Sequence, residues 1–220
     1  VQAQADPDFE AEADEIRPKS RVVGNYEVHV TGSGRQFQSD FFEKFSKCHG
    51  SVPIIFYTPI IGGAIYLAAT RGVLSAVEIA GGVVAGVAIW TLVEYWLHRL
   101  VFHYERSPRL HYFLHGIHHA YPNDRLRLVM PPGASFSLAV AFFLIMWGLV
   151  GFEWALPTYA GLGIGYLWYD TTHWWTHVAK PKTAYGRFLR KHHMLHHFKT
   201  PDRRFGVSTP LWDYVFRTHA

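Results

Sequence analysis

The 220-residue chain is 49% hydrophobic and 16% aromatic but only 17% charged; its length suits one domain, and its charge falls below the ~25% of an ordinary soluble one. The single cysteine, Cys48, excludes an intrachain disulfide and a cysteine-based zinc site. The net charge of +4 accompanies 15 histidines, nearly as many as the 17 acids, and no separate basic domain points to nucleic acid as a partner.

In chain order, residues 1–36 read as a polar N-terminal segment, partly disordered, with six acids between Asp6 and Glu15. QSDFFEKFSK, residues 38–47, follows. Phe37, Phe41 and Phe45 recur at i, i+4 and i+8, and Asp40 and Glu43 have capping-box spacing. This reads as a short amphipathic helix, either lying on a membrane surface or packed on the polar part of the protein. Four apolar stretches then match the ~20 residues a bilayer requires: Val52–Thr70, Gly72–Leu97, Ala134–Gly151 and Trp154–Thr172. Short links, Thr70-Arg71-Gly72 and Gly151-Phe152-Glu153, join them in pairs, which predicts two antiparallel helical hairpins.

With four crossings, the N-terminus, the 98–133 loop and the 173–220 tail share one face. That face carries many basic residues, among them Arg99, Arg109, Arg125, Lys180, Arg190 and Lys199, whereas the opposite links hold only Arg71. The excess of Lys and Arg places the large polar face in the cytosol. The fold class read from the sequence is therefore an all-α integral membrane protein. Four transmembrane helices form two hairpins beneath a cytosolic helical cap.

The histidines gather at the ends of these spans. HRLVFH places His98 and His103 at the end of the second span. HGIHH in the loop contains His115, His118 and His119, HWWTH ends the fourth span with His173 and His177, and KHHMLHH in the tail holds His193, His196 and His197. In a helix, i, i+3 and i+4 share a face, so the two HxxHH runs are triplets and His173/His177 is a pair. His98 and His103 are five apart and converge only if the span frays or bends near residues 100–102. All ten imidazoles can then meet in one layer above the membrane. Imidazole is the commonest neutral metal ligand, and ten are too many for one ion but suit two. His29, His49 and His219 read as ordinary surface or core histidines; His111 and His192 stand behind the ligands or on the surface. Glu94, Asp170 and Tyr169 are the candidates to orient ring N–H groups, the two acids also offsetting metal charge, with Asp124 and Asp213 as further options. No catalytic side chain is assigned beyond the metal centre.

Two redox ions in an all-histidine cage suit oxygen activation; zinc alone has no redox chemistry. Here the chain resembles the membrane fatty acid hydroxylase and sterol desaturase superfamily, and within it the fatty acid 2-hydroxylases. The resemblance covers residues 36–217 and rests on EYWLHRLVFH, HYFLHGIHHAYPNDRLRLVMPP, YDTTHWWTH, KHHMLHHF and FGVSTPLWDYVF. It implies that residues 37–220 are a fatty acid hydroxylase membrane domain. It implies that the ten clustered histidines bind two iron ions, with zinc able to occupy the same sites in purified protein. It implies O2-dependent hydroxylation at C2 of a long acyl chain, free or within a sphingolipid such as ceramide. Residues 1–36 contain no haem-binding HPGG stretch, so electrons are expected from an external carrier such as cytochrome b5, drawn by the basic face. The membrane is the endoplasmic reticulum in a eukaryote or the inner membrane in a bacterium.

Three rivals share some of these features. A sterol or carotenoid hydroxylase or desaturase would have the same site. A zinc-dependent membrane hydrolase is disfavoured because no HExxH occurs. A metal transporter would place its site near mid-membrane rather than past the span ends.

Overall fold

The computed structural model describes residues 20–220 except 25, 30 and 105; the acidic tail expected to be disordered lies outside the described residues. Ser20–Val23 (β1) and Tyr26–His29 (β2) form an antiparallel hairpin, with Val23 opposite Tyr26 and Ser20 opposite His29. No element was read for this part of the polar N-terminal segment. It is ordered because Val23, Tyr26 and Val28 face inward and bury against Met194 and Phe198.

Asp40–Phe45 (α1) is the short helix expected. Its Phe41, Phe42 and Phe45 are well exposed. Its capping differs from the reading: the N-cap is Ser39, with no side-chain cap bond. Glu43 instead turns inward, accepts the Gln36 and Phe37 amides at 2.9 Å each and pairs with the buried guanidinium of Arg127.

Val52–Arg71 (α2) ends at Gly72, whose φ of 67° is the left-handed conformation a glycine adopts without strain. Ala76–Trp96 (α3) starts at a full capping box between Ser75 and Glu78. It runs directly into a π-helical turn, Leu97–Phe102. Pro108–His111 (α4), a second π-helical turn Tyr112–Gly116 and Ile117–Ala120 (α5) carry the loop histidines. Pro132–Val178 (α6), Ala184–Phe198 (α7) and Leu211–Val215 (α8) complete the chain.

Three helices are long and apolar enough to cross a membrane: Val52–Arg71, Ala76–Phe102 and Pro132–Val178. Where the sequence reading has two separate spans, α6 is one element of 47 residues, interrupted at Gly151 (φ 77°, ψ 164°). That interruption falls within the expected link. Beyond it the chain folds back on itself: Phe142 and Met146 pack with Leu162, Tyr166 and Tyr169, together with Trp90 of α3. Arg71 forms a forked ion pair with Glu153, both nitrogen–oxygen contacts of Nε being 2.9 Å, so the two links lie side by side at one end of the bundle.

Small residues bring α3 and α6 into backbone contact. A Cβ on Gly86 would lie 2.1 Å from the Thr158 carbonyl oxygen, and one on Gly161 2.1 Å from that of Val83. Such close approach is how apolar helices associate when the hydrophobic effect no longer favours it. It also aligns the end of α6, which carries His173 and His177, with the π-helical turn after α3, which carries His98 and leads into His103.

Candidate metal centre

The ten clustered histidines meet, and they divide into two groups of five. His98, His103, His115, His119 and His196 form one; His118, His173, His177, His193 and His197 form the other. Within each group the ligand nitrogens lie within 4.8 Å of one another. The division cuts through both HxxHH triplets. Each i, i+4 pair (His115/His119, His193/His197 and His173/His177) stays on one side, and the residue at i+3 turns to the other group. A spacing of four rotates by ~40° and a spacing of three by ~−60°, so one helix can face two adjacent centres. The rings of His119 and His197 stack across the divide at 4.2 Å.

His98 and His103 converge without fraying. The π-helical turn bonds the His103 amide to the His98 carbonyl at 3.2 Å. That i→i+5 repeat brings the two side chains to one side, where an α-helix would splay them.

The Nε2 atoms point inward. His98 and His115 approach to 3.1 Å, His103 and His196 to 3.1 Å, and His196 and His119 to 3.2 Å. In the other group, His118 lies 2.9 Å from His173 and 3.0 Å from His197, and His193 lies 2.9 Å from His177. Three rings have a defined hydrogen position. Nδ1 of His98, His173 and His196 donates to the carbonyls of Phe205 (2.6 Å), Leu128 (2.7 Å) and Arg203 (2.6 Å). Because a carbonyl only accepts, Nδ1 carries the hydrogen and Nε2 presents a bare lone pair. Burial, and then the neighbouring imidazoles, hold His103, His115, His118, His119, His193, His196 and His197 well below the usual histidine range. Five neutral rings cannot satisfy one another's convergent nitrogens with hydrogen bonds alone. They fit a metal ion, and an all-imidazole set suits iron, zinc, copper or nickel.

The acids expected behind the ligands do not touch the rings. Glu94 accepts the Val207 and Ser208 amides at 2.7 and 2.8 Å and the Ser208 hydroxyl. Asp170 accepts from Tyr166 at 3.3 Å and from the Met130 amide. Each acid holds a loop, and a carbonyl from that loop meets the histidine. Tyr169 stacks on His173 with rings parallel to within 4° at 5.9 Å. Asp124 pairs with Arg127, and Asp213 is fully buried and bonded to His192 Nε2 at 3.0 Å. His192 thus stands behind the cluster. So does His111, whose Nε2 lies 2.6 Å from the Tyr26 hydroxyl. His29 stacks on Tyr121, His49 contacts Ser51 and His219 stacks on Tyr214, all outside the two groups.

Tyr26 escaped the sequence reading. Its ring stacks on His119 at 4.5 Å and its hydroxyl lies 3.3 Å from His103 Nδ1. A lone tyrosine in a polar segment carries no spacing signal, and neither do the backbone carbonyls of Leu128, Arg203 and Phe205.

A cavity of about 620 Å³ reaches His115, His118 and His173 and is bordered by Phe42, Phe45 and Phe113. A second, narrow space of about 60 Å³, lined by Tyr57, Trp90, Phe142 and Tyr166, lies among α2, α3 and α6. Phe102, Met130, Leu138 and Tyr169 border both. The arrangement joins a metal-binding layer to apolar space inside the bundle.

The fatty acid hydroxylase family model matches residues 83–218. A dihydroceramide fatty acyl 2-hydroxylase of Arabidopsis thaliana is 39% identical over 189 residues, covering 84% of this chain and 79% of the plant protein. The fatty acid 2-hydroxylase of Rattus norvegicus is also 39% identical, over 84% of this chain and 56% of the rat protein. The solved structure of full-length scs7p, in which only the hydroxylase domain is visible, superposes with a TM-score of 0.81 at 32% identity, covering 87% of this chain and 74% of that one. With a family model that spans all ten clustered histidines, and relatives that share more than a third of their aligned residues, the chain belongs to the fatty acid hydroxylase family.

Proposed function

We propose that the chain hydroxylates C2 of long-chain acyl groups, free or within ceramide, with O2 and two iron ions held by His98, His103, His115, His119 and His196 and by His118, His173, His177, His193 and His197. The observation that carries this reading is the pair of five-imidazole groups, reached at His115, His118 and His173 by a largely apolar cavity. The relatives named for fatty acyl or ceramide 2-hydroxylation support it. Two iron ions with O2 supply an oxidant able to replace an unactivated C–H bond by C–OH, which no side chain does; zinc competes for the same imidazoles without redox chemistry.

The protein's own contribution is placement. The cavity that reaches His115, His118 and His173 receives the acyl chain, and Phe102, Met130, Leu138 and Tyr169 on its wall guide the reacting carbon towards them. Phe42, Phe45 and Phe113 form the lipid-facing entrance. Buried walls exclude water from the reacting carbon.

Residues 37–220 form the hydroxylase unit, preceded by the polar segment 1–36. The two halves of α6 each cross the bilayer, giving four crossings with the histidine layer and its basic surface in the cytosol. The membrane is the endoplasmic reticulum or a bacterial inner membrane. Electrons arrive from a separate acidic carrier such as cytochrome b5.

Expression in a cell that makes sphingolipids but lacks 2-hydroxy lipids, followed by lipid mass spectrometry, tests the reading. New 2-hydroxyacyl species are expected, absent with His118→Ala and retained with His29→Ala. A hydroxylated or desaturated sterol or carotenoid without 2-hydroxyacyl lipid would overturn it.

A further inference from the structure

Among the described residues, the segment following α7 directs its hydrogen bonds to the histidine layer at one of the two groups. Its carbonyls at Arg203 and Phe205 accept from His196 and His98, both members of the first group. The opposite edge of each of these peptides is held as well. The Gly206 amide, in the same peptide as the Phe205 carbonyl, donates to Asp213 Oδ2 at 2.8 Å. The Arg204 amide, in the same peptide as the Arg203 carbonyl, donates to the Thr218 carbonyl at 2.9 Å. A trans peptide is planar, with its N–H and C=O pointing in opposite directions. Gripping the amide therefore aims the carbonyl, and the carbonyl aims the imidazole.

Four successive amides are taken up by two carboxylates. Asp213 holds Phe205 and Gly206, at 2.9 and 2.8 Å, and Glu94 holds Val207 and Ser208. Asp213 joins the two peptide clamps, because it also accepts the Thr218 hydroxyl at 2.7 Å while its own carbonyl accepts the Thr218 amide at 2.7 Å. His192 bonds the same carboxylate. The second group has a different support: His173 leans on Leu128, in a segment tied to Asp170. No contact of Asp213 reaches that group among the described residues.

We infer that Asp213 is a positioning residue for one metal site only, that of His98, His103, His115, His119 and His196, acting through the Arg203–Ser208 backbone. The inference rests on the dimetal reading above. Supports behind histidine ligands alter metal affinity by roughly 10–100-fold.

The test is metal content and chelator competition on the full-length protein purified in detergent, loaded with iron or zinc. The unaltered chain should hold about two ions and Asp213→Ala about one. Adding His196→Ala to Asp213→Ala should leave about one, since both strike the same site, whereas adding His177→Ala should leave almost none. His29→Ala, outside both groups and stacked on Tyr121, should retain two. If Asp213→Ala does not fold, Asp213→Asn serves, because it keeps one acceptor oxygen but replaces the other with an amide donor. One ion should then be lost to chelator at a 10–100-fold lower concentration, the other unchanged. Two ions of unaltered affinity, or equal weakening of both, would overturn the inference alone. An unaltered chain that binds fewer than two ions would overturn the dimetal reading, and this inference with it.

Discussion

The helical bundle and the histidine layer are held together by opposite means. In the bundle, α3 and α6 touch through glycines, with almost no room between backbones. In the layer, nine of the ten rings are buried and His103 is partly so, and three of them, His98, His173 and His196, are aligned by hydrogen bonds to loop carbonyls of Phe205, Leu128 and Arg203. The bundle is a problem of shape and the layer one of polar satisfaction. Steric change should therefore break the first, and changes of proton or hydrogen-bond inventory should break the second.

The largest effect is expected from Gly86→Leu. A side chain there enters the Thr158 backbone, and with no flexible neighbour to yield the cost should exceed about 3 kcal/mol. Thermal unfolding in detergent should show loss of the folded species, with metal content falling alongside. Normal stability would mean that the helices separate more easily than the glycine contact implies.

Acid comes next, and should act on the layer first. The buried histidines outside the spans have folded-state pKa values well below 6.5. Unfolded, they take up protons near that value, so at lower pH the unfolded state binds more. Stability of the metal-free protein is then complete above about pH 6.5 and declines as pH falls towards the folded values, at up to ~1.4 kcal/mol per pH unit for each histidine. Unfolding midpoints between pH 7.5 and 5 check this; a flat profile would refute burial of neutral rings.

Tyr26→Phe should have a smaller effect. It keeps the stacking on His119 but removes the hydroxyl beside His111 and His103. About 1 kcal/mol of stability and up to ~10-fold in metal affinity should be lost. Arg71→Ala should have the least effect. Its pair with Glu153 is partly exposed, 43% and 25% at the two side chains, and solvent screening leaves such a pair little effect on stability. A larger loss would show that the link between the hairpins is a determinant of the bundle.

Much of this organisation was legible in the chain. Hydropathy located the three membrane-length helices among the described residues, though it divided α6 into two spans, because an unbroken apolar run has few alternatives to a buried or membrane helix. The ten histidines stood out because i, i+4 spacing survives translation from sequence to helix. Neither signal reports what lies between elements. The hairpin at residues 20–29 and its Tyr26 were missed because their inward-facing pattern is too short to register. The expected contacts of Glu94 and Asp170 with histidine rings failed for a related reason. Helical spacing puts a carboxylate near a ring, but a nearby loop offering several amides satisfies it better.

The sequence by itself therefore determined an α-helical, membrane-type chain with ten imidazoles at the ends of its spans, since periodicity and spacing are local properties. Only the tertiary structure decided how those imidazoles divide into two groups of five, that a π-helical turn reconciles His98 with His103, and which carbonyls set His98, His173 and His196. Those outcomes depend on backbone groups, which every residue carries alike, and on where distant loops come to rest.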